Sequence, residues 1–349
     1  MKSVRETRQF VFISLLILAL LAFIAGPCFA DGPVMKIAPK GKKKITIGVM
    51  DPNAALETAA YINKAHKAQA AKRGWDIQFV DLKDNIPQAA TYMENMISAG
   101  YDGIVIHWLP LRAIDKQIKM AFDKGIPVVT IAASGARFPG VLADVGFMEA
   151  TDGAMLAEYL GNRLQSDDKI VTISIPQIEK HQIQLTGAKG VFQAYNLKVV
   201  QDLQFPFTGD PFQWTYDQVT NTLLGDSKKE IKGIYTTWEG FGIQAARACH
   251  DRGRDDVIVV MCDDRPNTYK EMARLPALQA VAATSIHDKN LNEITFGLFD
   301  KVFRGESVVS QKNYPHIAGL LTKDKLPPSG YFYDVCGGYK ARKPDFEVK

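Results

Sequence analysis

An α/β protein made of two doubly wound parallel-sheet lobes is what this 349-residue chain predicts. Two observations carry the prediction. Short β-branched apolar runs recur with helix-length intervals between them, and the series starts afresh beyond a break near residue 146. Runs this short, apolar throughout and each following a helix that ends in glycine, are what strands buried on both faces of a parallel sheet require.

The first strand is read at Ile45-Thr-Ile-Gly-Val49. Lys72-Arg-Gly74 then leads into Asp76-Ile-Gln-Phe-Val80, Ser98-Ala-Gly100 into Ile104-Val-Ile106, and Asp123-Lys-Gly125 into Val128-Val-Thr-Ile131. Several of the glycines follow lysine or arginine, which suits the negative end of a helix dipole. After Asp144-Val-Gly146 come Ile170–Ser174, Leu197–Val200, Gly233–Thr237, Val257–Met261 and Val281–Thr284, again separated by helical stretches. Alternation of this kind builds parallel sheets covered on both faces, whose carboxyl edges are where ligands sit.

The first thirty residues carry Lys2, Arg5 and Arg8, then an apolar run from Phe10 to Ala25, then Gly26-Pro-Cys-Phe-Ala30. That order describes a secretory signal cleaved after Ala30, and the run is shorter than the ~20 residues of a spanning helix. Without this segment the net charge falls from +4 to +2, which offers no electrostatic footprint for nucleic acid. Residues 31–44 read as a solvated basic leader holding Lys40, Lys42, Lys43 and Lys44. Cys249, Cys262 and Cys336 remain beyond the signal, an odd number that leaves at least one free thiol and an undetermined pairing.

No catalytic or metal constellation has usable spacing. The six histidines are dispersed, with no His-x-x-x-His and no Cys-x-x-Cys, so zinc is unsupported and no cofactor is expected. Asp51-Pro-Asn-Ala54 after the first strand lacks the glycines of a dinucleotide loop, and neither a phosphate loop nor a Gly-x-Ser-x-Gly elbow occurs.

Gly100-Tyr-Asp-Gly-Ile-Val-Ile106 followed by Lys124-Gly-Ile-Pro-Val-Val129 resembles the wording of the periplasmic, ribose-binding-like type I solute-binding proteins of ABC importers. The resemblance implies three chain crossings between lobes, near residues 146, 287 and 311. One lobe would then hold 45–146 and 288–311 and the other 147–287 and 312–330; residues 331–349 lie beyond that plan as a C-terminal extension, either packed along the second lobe or disordered. It also implies a monomer in the periplasm that hands a small carbohydrate-like solute to a membrane permease. No helix-turn-helix precedes the first strand, which separates the chain from repressors of the same fold.

In that family the ligand lies between strand ends, so the residues just after the strands are the candidates. The resemblance carries Asp263 over as the carboxylate that accepts hydrogen bonds from ligand hydroxyls, Asn53 as a polar contact and His287 as the hinge position that reaches the solute. Trp238 replaces an asparagine, Phe212 or Trp214 stands where a stacking phenylalanine is common, and Trp108 ends another strand. Ser134 and Gln184 complete the set. Ala132-Ala133 replaces the Asp-Arg pair of many sugar binders. The exchange of charged clamps for aromatic faces favours a flatter or more apolar solute than ribose. A sensory receptor subunit with the same fold, and more remotely a secreted α/β enzyme, are the competing readings.

Overall fold

The computed structural model describes residues 33–41, 44–284, 289–316, 318–334 and 340–343. The signal, His287 and Cys336 lie outside them. The first lobe is built from β2 (Thr46–Asp51), α1 (Glu57–Arg73), β3 (Asp76–Asp81), α2 (Ala89–Ser98), β4 (Gly103–His107), α3 (Asp115–Asp123), β5 (Val128–Ile131) and β6 (Val141–Phe147). The second holds α4 (Glu149–Gly161), β7 (Lys169–Ser174), α5 (Glu179–Ala194), β8 (Lys198–Gln204), α6 (Pro211–Gly225), β9 (Ile231–Thr236), α7 (Glu239–Asp251), β10 (Ile258–Cys262), α8 (Pro266–Arg274) and β11 (Leu278–Ala283).

Each sheet has six strands. The first runs β13-β6-β5-β4-β2-β3, where β13 is Lys312–His316, and all its pairings are parallel. The second runs β14-β11-β10-β9-β7-β8, parallel except for β14 (Gly319–Thr322), which is antiparallel to β11. Strand alternation splits each core between two faces. In the first lobe Val49, Val105 and Val129 pack under α9 (Lys289–Phe303) with Phe299, while Ile104 and Ile106 face Met93 of α2 and Ile118 of α3. In the second, Ile173, Val259 and Met261 share one face, and Ile170, Tyr235 and Val260 the other.

The chain passes between sheets three times. The first passage lies between Phe147 and Glu149, and α9 returns the chain to the first lobe. The third falls between His316 and Gly319, later than the 311 expected, because Lys312–His316 pairs in parallel with Ala143–Phe147. The segment from 312 onward, expected in the second lobe, is thus divided between the two sheets as Lys312–His316 and Gly319–Thr322. Its first half carries no apolar run and tolerates Pro315 at a sheet edge, where a missing N–H costs nothing.

The basic leader is not a solvated arm over its described residues. Its β1 (Val34–Met35) pairs antiparallel with β12 (Val308–Val309), Met35 is buried, and Lys40 Nζ donates to Asp102 Oδ1 at 2.5 Å. In the C-terminal extension β15 (Phe332–Asp334) and β16 (Lys340–Arg342) form a hairpin, and Tyr333 packs on the core of the second lobe. Cys249 and Cys262 are both buried free thiols. Among the described residues no helix is long and apolar enough to cross a membrane.

Candidate functional site

The carboxyl edges of the two sheets face each other across a cavity of about 360 Å³. The first lobe supplies Pro52, Asn53, Leu56 and Thr58 after β2, Asp84 after β3, Trp108 after β4 and Ala132 after β5. From the second come Ile175, Ile178, Lys180 and His181 around the start of α5, a stretch from Phe205 to Phe212 after β8, Trp238 after β9, and Asp263 and Arg265 after β10.

The polar floor is a buried ion pair. Lys180 Nζ donates to both carboxylate oxygens of Asp263, at 2.8 and 2.7 Å, and each side chain is 5 % exposed. Burial disfavours both charges, but each partner outweighs it: the Asp263 carboxyl is held below its ordinary range and the Lys180 ammonium above. Lys180 also lies 5.2 Å over the Phe147 ring. His181 Nδ1 meets Thr237 Oγ1 at 2.8 Å, and burial, then the charge of Lys180, pushes its pKa down to about 3, so the imidazole stays neutral.

Around this floor sits a shell of buried carboxyls. Desolvation raises Glu149 to about 7, Asp152 to about 8 and Glu239 to about 7, and raises Asp144 as well. α4 and α5 cross so closely there that a Cβ on Gly153 would come within 1.9 Å of the Gln184 carbonyl, which is why no larger residue fits.

Polar contacts also join the lobes at the rims of the cleft. Arg265 Nε donates to Thr58 Oγ1, and Glu57 lies within the field of Arg265 and accepts from the Asn267 N–H. At another rim Glu179 draws Arg112 at 3.9 Å and Arg137 at 3.8 Å. The arginines are 82 % and 64 % exposed, so this rim contributes little. Glu179→Gln is expected to raise an apparent Kd by no more than about threefold, an effect erased by roughly 0.5 M salt, as titration calorimetry at two ionic strengths would read.

Asn53, Trp108, Phe212, Trp238 and Asp263 converge on the cavity. Trp108 is oriented by stacking on His107, 5.0 Å away at 24°, which in turn is fixed by Asp51 and by His66 Nε2 at 3.1 Å. Trp238 folds over the start of α7, where Gly240 leaves room for its ring. Ser134 is displaced from the cavity, turned toward Glu149 Oε1 at 3.4 Å. Gln184 is fully buried against α4, one turn beyond Lys180, and does not line the space. Trp214 faces the core, edge-on to Phe205, because its place on α6 turns it inward. Lys180, Arg265, Thr58 and Phe207 are cavity-lining positions that strand-end reasoning misses. One signal was present: a lysine in the first turn of a helix opposes the dipole and needs a reason to be there.

A sequence profile of the periplasmic binding protein domain matches residues 47–287, more than half the chain. The chain belongs to the periplasmic binding protein family. Within this family it is 23 % identical over 293 residues to a xylitol-binding protein of Mycolicibacterium smegmatis, covering 81 % of this chain and 78 % of that one. It is 21 % identical over 258 residues to the ribose import binding protein of Escherichia coli, covering 73 % and 83 %. Among solved structures, an ABC transporter solute-binding protein from Agrobacterium vitis with bound allitol superposes with a TM-score of 0.74 at 20 % identity, covering 81 % of this chain and 97 % of that one. One from Bacillus halodurans with bound myo-inositol gives 0.71 at 21 %, covering 81 % and 96 %. These likenesses identify the fold of the periplasmic binding protein as type I, with two parallel-sheet lobes.

Proposed function

We propose that this periplasmic binding protein captures a small carbohydrate, polyol or modified sugar between its lobes and delivers it to the permease of an ABC importer. The observation that carries the reading is the cavity itself, closed by strand ends from both sheets and floored by the Lys180–Asp263 pair. A carboxylate and an ammonium held rigid by each other present both an acceptor and a donor to vicinal hydroxyls, and indoles cover the apolar face of a sugar ring. The relatives named for ribose and xylitol, and the structural neighbours holding allitol and myo-inositol, support that solute class.

The same reading places the mature chain in the periplasm as a monomer, after removal of residues 1–30, and gives it no chemistry to perform on its cargo. Closure is hinge motion driven by the ligand's higher affinity for the shut form. A micromolar Kd corresponds to about 8 kcal/mol, within reach of a few buried hydrogen bonds and one or two aromatic contacts. Mass spectrometry of the solute that copurifies with the protein, followed by small-angle scattering with and without it, tests this. Return of the solute unchanged, with compaction on binding, is expected. Turnover of the solute, or a scattering curve indifferent to every candidate, would refute it.

A further inference from the structure

Polarity is not spread evenly around the cavity. It is graded along the edge of the second sheet, whose strands lie in the order β10-β9-β7-β8. Past β10 come the charged Asp263 and Arg265, and Lys180, from the helix after β7, reaches across to Asp263. Past β8, at the opposite end, come Phe205, Phe207, Pro211 and Phe212, with the Asp210 carboxylate between them, its Oδ1 engaged by the Phe212 and Gln213 N–H groups at the start of α6. Trp238, past β9, links the two: its ring lies 5.4 Å from Phe212 and 5.2 Å from Phe241, which itself meets Phe205 at 6.0 Å. The result is one connected aromatic cluster, joined through the buried Phe241, of which Phe205, Phe207, Phe212 and Trp238 line the cavity.

The cluster is built at a conformational cost. Phe207 has φ +62°, a left-handed backbone that bulky side chains avoid, and it sits in a loop whose Gly209 also has positive φ. The chain holds this strain while placing the Phe207 ring on the cavity, 6.3 Å from Phe205. Strain kept at a ligand clamp points from the outlier to a role. The first lobe lines the cavity with Pro52, Leu56, Ala132 and Trp108 and with the polar Thr58, Asn53 and Asp84, the last two hydrogen-bonded to each other at 2.7 Å.

A hydroxyl packed against the phenyl rings of this cluster finds no hydrogen-bond partner in them and is desolvated at a cost, whereas an apolar group gains from the same contact. Resting on the solute-binding reading above, we infer that the cargo is two-ended: a hydroxylated head seated on Lys180, Asp263 and Arg265, carrying one apolar or aromatic substituent directed at Phe205, Phe207, Phe212 and Trp238. Phe207 is then a specificity-determining residue, selecting substituted heads over bare ones.

The test uses matched pairs: ribose, arabinose and myo-inositol against their methyl and phenyl derivatives, titrated by calorimetry into the full mature protein stripped of bound solute. At least one substituted head is expected to bind ten times or more tighter than its bare parent. Phe207→Gly should bring that ratio below three, while keeping the fold, because glycine takes the left-handed backbone without strain. A bare head binding as tightly as its substituted partners, or a ratio unchanged in Phe207→Gly, overturns the two-ended cargo and leaves the solute-binding reading intact. Failure of every pair to bind or to compact the protein removes both.

Discussion

Asp263→Ala is expected to abolish cargo binding and to cost the fold about 3–5 kcal/mol, because it strands the Lys180 ammonium in a site with almost no access to water. One compensation is available. Asp152 is held neutral by burial and by the charge of Asp263 itself, so with Asp263 gone it is the carboxyl placed to ionise beside Lys180. The loss should therefore lie toward the lower end of the range, and adding Asp152→Asn should deepen it.

Adding Lys180→Met to Asp263→Ala instead removes the stranded charge and should recover most of the stability, since apolar replacement of a buried ion pair is often neutral. It should not recover binding, because donor and acceptor are both absent. Denaturant unfolding checks the first effect and calorimetry the second. A midpoint for Asp263→Ala equal to that of the parent, or binding restored in the double variant, would show that the pair is neither the electrostatic keystone nor the polar floor.

Much of the fold was legible because buried parallel strands are locally encoded. Val105 and Ile106 point to opposite faces that are both apolar, so their run announces itself without knowledge of neighbours. Lys312–His316 does not: as an edge strand it needs no apolar pattern, and only the register with Ala143–Phe147 reveals it. β1 is two residues long, and its partner Val309 stands far along the chain from Val34, beyond any local periodicity.

The site divides in the same way. Trp108, Trp238 and Asp263 follow strands, and topology alone brings strand ends together. Lys180 and Arg265 lie inside or beside helix starts, where the sequence shows a charge but not the opposite charge that lets it be buried. Gln184 and Trp214 fail for a rotational reason: on a helix the choice between cleft and core turns on about 100° per residue, which the weakly patterned α5 and α6 do not declare.

The carboxyl shell predicts an unusual pH profile. Glu149, Asp152 and Glu239 have folded pKa values raised to about 7, 8 and 7, so the native state keeps protons that the unfolded chain has released above pH ~4.5. Their contribution is complete in acid and is lost as pH rises through the folded values. Below pH ~6.5 the trend is opposed by His66 and His181, whose pKa values are depressed by burial, because the unfolded chain takes up protons there that the native state refuses. Asp226, lowered against burial by the backbone N–H groups of Ile231 and Glu230 and then by Arg254, and Asp256 and Glu271, lowered by arginine partners that outweigh burial, act in the same sense at more acid pH. Above pH 6.5 the buried carboxyls act alone. The three raised carboxyls outnumber the two histidines, so stability is expected to be greatest at about pH 5, to decline gently to pH ~6.5 and to fall by on the order of 3 kcal/mol more by pH ~8.5. Glu149 begins the helix just after the first lobe crossing and meets Ser134 of the first lobe, so a cargo affinity that weakens over the same interval is the expected sign that opening hydrates this carboxyl. Glu149→Gln with Asp152→Asn, which copies the protonated forms, should remove most of the slope. Chemical unfolding at half-unit steps reads it directly, and a flat parent profile from pH 6.5 to 8.5 would mean that these carboxyls are already ionised in the closed protein.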